Sequence, residues 1–192
     1  ISRVKSSVNH LTAILNDFLS LGKLEEGRIE LANETISLNS FFEEIKEELK
    51  HILKEEQKLV AEFSEPDLYL QTDIRVLRGI LFNLISNAAK YSDIGKTILI
   101  VFACTDESVN IEVRDEGIGI PQSEVKHVFD RFFRASNASN IQGTGLGLNI
   151  VKRYIDLLKG EITFTSEEGI GSSFIITLPL ILNHEKNTPD RR

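Results

Sequence analysis

The sequence predicts a two-layer α/β domain, with helices on one face of a mixed sheet, preceded by one long coiled-coil-like helix. Three observations lead there. Ile1, Val4, Val8, Leu11, Leu15 and Phe18 alternate spacings of three and four, the a and d positions of a heptad. Two later stretches, about 38–55 and 73–91, carry apolar residues at helical spacing. Between and after them come short apolar runs bounded by turn residues, ending in a pair of strands. Helices mixed with strands in this order suit one sheet covered on one side.

The first helix runs from Ile1 to about Glu26, with Ile14 and Leu21 widening its stripe and Gly22 and Gly27 weakening and ending it. Residues 24–37 form a connector with room for a short strand at Arg28–Leu31. Ser37 is a plausible N-cap for the second helix, Leu38 to about Glu55, whose apolar face is Leu38, Phe41, Phe42, Ile45, Leu49, Ile52 and Leu53. Lys58–Phe63 and Leu68–Gln71 are strands around the turn Glu65-Pro66-Asp67, and the third helix spans Asp73 to Tyr91. Thr97–Ala103 and Ser108–Arg114 make a hairpin. Pro121 opens a short helix, and Arg134–Gln142 is a loop. A helix follows Gly143–Leu148 and ends near Lys159-Gly160, before the strands Glu161–Ser166 and Ser172–Leu180. The domains expected are therefore 1–27, a helical appendage; 28–182, the α/β domain; and 183–192, a polar, disordered tail.

Composition excludes several classes of function. The 192 residues are 41% hydrophobic, enough to bury a core, and carry a net charge of −7 with no cationic run. Nucleic acid is therefore not the expected partner, because phosphate backbones need clustered cations. The longest apolar run, Ile98 to Cys104, is too short to span a bilayer. The single cysteine, Cys104, rules out a disulfide framework and a cysteine-based zinc site, and reads as a core residue.

Four clusters carry chemistry. On the third helix, Asn83 and Asn87 lie four residues apart and share a face, which Lys90 joins. Amide oxygens suit Mg²⁺ whose charge is already met by phosphates, and an ammonium holds phosphate as a point charge; an exposed polar stripe is the plainer reading. After the second strand of the hairpin comes Asp115-Glu116-Gly117-Ile118-Gly119. A carboxylate there can accept from an exocyclic amino group, which adenine offers and guanine replaces with a carbonyl; alone, the pattern is also an ordinary turn. The third cluster is Val128-Phe129-Asp130-Arg131-Phe132-Phe133-Arg134, whose rings are expected in the core and whose arginines are open to other roles. The fourth, Gly143-Thr144-Gly145-Leu146-Gly147-Leu148, opens a helix, where free N–H groups and the helix dipole favour an anion. It is neither a dinucleotide fingerprint, which needs Gly-x-Gly-x-x-Gly, nor a P-loop; Gly95-Lys96-Thr97 resembles the end of a P-loop, but the required first glycine falls on Lys90.

In this order the four clusters resemble the N, G1, F and G2 boxes of sensor histidine kinases, over about Leu38 to Leu182, with Gly169-x-Gly171 similar to a further glycine box. Each box alone is common; their ordered conjunction is specific. The resemblance implies the Bergerat-type (GHKL) α/β sandwich and transfer of the γ-phosphoryl of Mg-ATP to a histidine. By it, Asn87 would ligate Mg²⁺, Asn83 would lie near the phosphates, Lys90 would contact phosphate and Tyr91 would pack on the base. Asp115 would read the adenine amino group, with Gly117 and Gly119 shaping the pocket. Gly143, Gly145 and Gly147 would form a mobile ATP lid, with Thr144, Leu146 and Leu148 at its hinge, and Arg131 or Arg134 would reach the γ-phosphate.

The first helix resembles the second dimerisation helix of the same kinases. None of His10, His51, His127 or His184 sits in the family's acceptor motif, so the acceptor helix is expected outside this chain, and the chain alone is expected not to autophosphorylate. The partners implied are ATP, that histidine of its own dimerisation domain, a response regulator and a second copy in a homodimer. The place implied is the cytoplasmic portion of a membrane-anchored bacterial sensor. Two other functions fit parts of the pattern: an ATPase of the same fold, and a degenerate module that only docks a partner. ATPases of this fold activate water with a glutamate on the N-box helix, and no Asp or Glu lies between Arg75 and Tyr91.

Overall fold

The computed structural model describes residues 29–180 and, before them, residues 15, 19, 21, 22, 24, 26 and 27. The central sheet has five strands: β2 (Lys58–Phe63), β4 (Thr97–Cys104), β5 (Ser108–Asp115), β6 (Glu161–Glu167) and β7 (Gly171–Pro179), in the order β2-β4-β5-β7-β6. β2 runs parallel to β4, and the other neighbours are antiparallel, so the sheet is mixed as expected. Its register puts one set of alternate residues on one face: Ile98, Ile100 and Phe102 of β4, Val109, Ile111 and Val113 of β5, and Phe174, Ile176 and Leu178 of β7, all buried.

Three helices cover that face. They are α1 (Leu38–Leu49), α2 (Ile74–Tyr91) and α3 (Gly147–Leu157). Phe41, Phe42, Ile45 and Leu49 of α1, Leu77, Ile80, Leu81, Leu84 and Ile85 of α2, and Val151 and Ile155 of α3 join the sheet residues in one core. Phe42, Phe63 and Phe102 interlock within it, with Phe63 stacked on Phe102 at 4.9 Å. The two-layer expectation holds, and Cys104 packs against the core while half-buried.

Three local expectations fail. At the described residues 29–31 of the strand placed at 28–31 there is no strand; the chain pairs later, as β1 (Glu34–Ser37) against β3 (Tyr69–Thr72). There Ile36 and Leu70 supply a buried pair. α1 stops at Leu49 rather than Glu55, because residues 54–57 turn away to meet the end of α2. After Pro121 there is no α-helix, only a turn and a 3₁₀ segment, Val125–His127. The described residues of the first helix, Leu15, Leu19, Leu21, Gly22 and Leu24, are helical and end at Gly27, whose φ of +61° suits a helix stop. The heptad positions Ile1, Val4, Val8, Leu11 and Phe18 and the tail 183–192 lie outside the described residues.

Asp73 sets the start of α2. Its fully buried carboxylate accepts from the N–H groups of Arg75 (2.9 Å), Val76 (3.3 Å) and Ala32 (2.8 Å). The Arg75 guanidinium at 2.6 Å, with those N–H groups, outweighs burial and holds its pKa down at about 2. A carboxylate lowered in the fold stabilises above its ordinary pKa and loses that contribution as pH falls toward the lowered value. Asp73→Ala is therefore expected to cost about 1–2 kcal/mol at pH 7, with the gap to the parent narrowing as pH falls from 4 toward 2. Urea melts of both chains at pH 7 and pH 3 check this; an equal gap at both would refute it.

Candidate functional site

The site is built where α2 ends. A helix C-terminus leaves carbonyls without partners, which is costly under cover. Here Gln57, itself buried, donates from Nε2 to the carbonyls of Ala89 (3.0 Å), Ser92 (3.1 Å) and Asp93 (3.0 Å). Lys54 Nζ donates to the carbonyls of Lys90 (2.8 Å) and Ser92 (2.5 Å), a cation at the negative end of the helix. On the other side, the Tyr91 carbonyl accepts from the Ile118 N–H at 3.1 Å, and Ser92 bridges to Gly117. The last turns of α2 are thus fixed against the turn that follows β5. No sequence motif pointed to Lys54 or Gln57.

Between these elements and the start of α3 lies a cleft of about 1160 Å³. Asn83, Asn87, Lys90 and Tyr91 of α2 line it, with Asp115 at the end of β5 and Ile118 and Gly119 after it. Arg134, Gly143, Thr144, Gly145, Gly147 and Leu148 line it from the later segment. The N, G1 and G2 clusters, far apart in the chain, therefore meet around one space. Asn83 donates from Nδ2 to the Gly79 carbonyl at 2.9 Å, which orients its Oδ1 toward Gly147. A Cβ on Gly147 would stand 3.0 Å from that oxygen, and one on Gly143 would stand 2.6 Å from Lys90 Nζ. The glycines let this loop approach the amides and the ammonium. Lys90 Nζ lies 4.3 Å from the centre of the Tyr91 ring.

Three sequence candidates do not line the cleft. Gly117 stands behind it; its N–H donates to Asp115 Oδ1 at 2.8 Å, and a Cβ there would meet both that oxygen and the Tyr91 carbonyl at 2.7 Å. Leu146 is buried instead against Leu21 and Ile150, with Leu24 and Tyr154 packed around them. Arg131 is exposed. Arg134 lines the cleft while donating to the carbonyls of Ala138 and Ser139 at 3.0 Å and Ile141 at 2.5 Å. The three rings also divide: Phe129 packs on Phe164 in the core, Phe133 lines the cleft and Phe132 is exposed with φ +62°. The expectation that all three rings are core holds for Phe129 alone, because the chain reverses at Phe132.

Asp115, the last residue of β5, lines the cleft. Burial pushes its carboxyl up to about 6, against the N–H groups of Gly117 and Ser172, which favour the charged form. No group of three or more His, Cys, Asp or Glu capable of holding a metal occurs among the described residues.

Residues 72–182, more than half of the chain, match the family described as histidine kinase-, DNA gyrase B- and HSP90-like ATPase. The chain belongs to this family. It is an ATP-binding ATPase-type domain. Similar proteins include the sensor histidine kinase RcsC of Salmonella typhimurium, 34% identical over 184 residues, covering 94% of this chain and 19% of RcsC. The aerobic respiration control sensor protein ArcB of Escherichia coli K12 is 35% identical over 172 residues, covering 86% of this chain and 22% of ArcB. The chain thus spans about a fifth of the length of these relatives. Among solved structures, full-length ShkA in complex with AMPPNP superposes with a TM-score of 0.80 at 25% identity, over 93% of this chain and 38% of ShkA. A nucleotide-free catalytic domain of the histidine kinase ThkA gives 0.65 at 26% identity, over 79% of this chain and 97% of that one.

The raised Asp115 has a consequence for stability. A group whose pKa is raised on folding is fully compatible with the fold below its ordinary pKa, and the fold loses stability as pH rises through the raised value. In this domain that loss falls between pH 4 and about 6 and persists above. Asp115→Asn keeps an oxygen for the Gly117 N–H and carries no charge. It is expected to be more stable than the parent at pH 8, by up to about 2 kcal/mol, and close to it at pH 4. Thermal melts at both values decide; a variant less stable at pH 8 would refute it.

Proposed function

We propose that this chain is the catalytic part of a sensor histidine kinase, which binds Mg-ATP in the cleft and passes its γ-phosphoryl group to a histidine on a dimerisation helix. The observation that carries the reading is the meeting of Asn83, Asn87 and Lys90, the glycine-rich start of α3 and the half-buried carboxylate of Asp115 around one cleft. Asp115 accepts from the adenine amino group, and Tyr91, Ile118 and Gly119 enclose the base. Lys90 and the N–H groups of Gly143, Thr144, Gly145 and Gly147 take the phosphates at the positive end of α3. Asn87 offers an amide oxygen to Mg²⁺, with Asn83 beside it. Asn87 would hold the ion through that oxygen, and the ion would supply positive charge against the phosphates. The close fit of Gly143 on Lys90 and Gly147 on Asn83 supports this assignment, since the loop can fold over phosphates only without side chains there.

Arg134 is the better candidate for the γ-phosphate than Arg131, because it lines the cleft. To reach a phosphate it must exchange some of its bonds to the carbonyls of Ala138, Ser139 and Ile141. Thr144, Gly145 and Leu148 belong to the lid, and Leu146 anchors it from behind. Transfer of this kind relies on positioning and charge rather than on a protein nucleophile. Transfer to histidine is favoured over hydrolysis because α2 carries no Asp or Glu to activate water. The response regulator, the homodimer and a cytoplasmic position below a membrane anchor belong to the same proposal. No helix among the described residues is long and apolar enough to cross a membrane.

Calorimetry with ATP and Mg²⁺ tests the site. Asp115→Asn removes a charge-assisted bond and is expected to weaken ATP ~10- to 100-fold; an unchanged affinity would overturn the assignment. Labelled ATP tests the reaction. Label is expected on a supplied dimerisation helix that carries an acceptor histidine, and stable label on a histidine of this chain alone would contradict the reading.

A further inference from the structure

The segment between Arg134 and the glycine turn is held by a set of polar contacts around one buried apolar residue, Ala138. Arg134 gathers the carbonyls of Ala138, Ser139 and Ile141, and Glu124 accepts from the Ser136 N–H at 2.9 Å. A 3₁₀ turn, Ser136–Ala138, results. Its middle residue, Asn137, reaches across to the turn after β5. Asn137 Nδ2 donates to the Gly119 carbonyl at 3.0 Å and to the Ile118 carbonyl at 3.4 Å. Ile118 is held on its other sides by its own N–H to the Tyr91 carbonyl (3.1 Å) and by the Gly169 N–H on its carbonyl (2.8 Å). Ile118, Gly119 and Asn137 all line the cleft.

Asn137 Oδ1 is buried without a hydrogen-bond partner. An unmade buried acceptor is unfavourable, so a residue selected for packing alone would be apolar here. What the carboxamide contributes is its two donor bonds, and both end on the wall of the cleft.

We infer that Asn137 is a positioning residue for the nucleotide base. It fixes Ile118 and Gly119 opposite Tyr91 and ties the root of the 134–146 segment to that wall. The inference rests on the reading of the cleft as an adenine-nucleotide site. Asn137 touches no reacting atom. Its turn lies outside the main core, so its loss leaves the fold intact.

The test compares the parent chain with Asn137→Ala, and with Asn137→Ser as a second, smaller change. ATP affinity is measured with Mg²⁺, melting temperature without nucleotide, and amide exchange in the empty protein. Asn137→Ala is expected to raise the Kd for ATP on the order of 10-fold at an unchanged melting temperature. The amides of Ile118, Gly119 and Gly169 are expected to exchange faster, while those of β5 and β7 stay protected. Equal ATP affinity in parent and variants overturns the inference, and a lowered melting temperature with equal affinity would assign Asn137 a structural role alone. A parent chain that binds no ATP overturns the nucleotide reading, and this inference with it.

Discussion

The pinned end of α2 is the constraint on which the rest of the site depends. Gln57 and Lys54 take its carbonyls from one side, and the turn after β5 takes the Tyr91 carbonyl from the other. Leaving such carbonyls unmade would cost about 1–3 kcal/mol each under cover. Because they are met, Asn83, Asn87, Lys90 and Tyr91 stand at fixed positions relative to Asp115, which belongs to the sheet. The closeness of the two elements also explains Gly117, where any side chain would strike both the Asp115 carboxylate and the Tyr91 carbonyl.

The walls of the cleft differ in how they are built. Beside Lys90 and Asn83, Gly143 and Gly147 let the loop approach the ammonium and the amide. At Asp115, burial raises the carboxyl pKa to about 6. The domain therefore carries a half-buried carboxylate that is unfavourable in its charged form at neutral pH. Stability set aside at a binding site is a common trade, and under the proposed function it falls on the residue that would read the base.

Much of this was legible in the sequence because the relevant residues sit within short motifs. Asn83, Asn87 and Lys90 are placed by helical period alone, and the glycine turn marks the start of α3 within a few residues. The misses share a cause, since each depends on contacts distant in the chain. α1 ends early because Lys54 and Gln57 are drawn to carbonyls more than thirty residues away. β1 forms at Glu34–Ser37 because β3 offers Leu70 opposite Ile36. Leu146 looked like part of a ligand loop but is buried against Leu21, a helix residue 125 positions earlier in the numbering. Asn137 gave no local signal, since its partners lie 18 and 19 residues back.

The central claim is that one cleft, between the end of α2 and the start of α3, holds the whole nucleotide. Titrating the labelled domain with Mg-ATP and following backbone amide resonances tests it most directly. The account predicts large shifts at Asn87, Lys90, Gly117, Gly119 and residues 143–147 together, with the open face of the sheet at Val60, Val101 and Thr163 unmoved. Shifts confined to one of these segments, or centred on the open face, would contradict it.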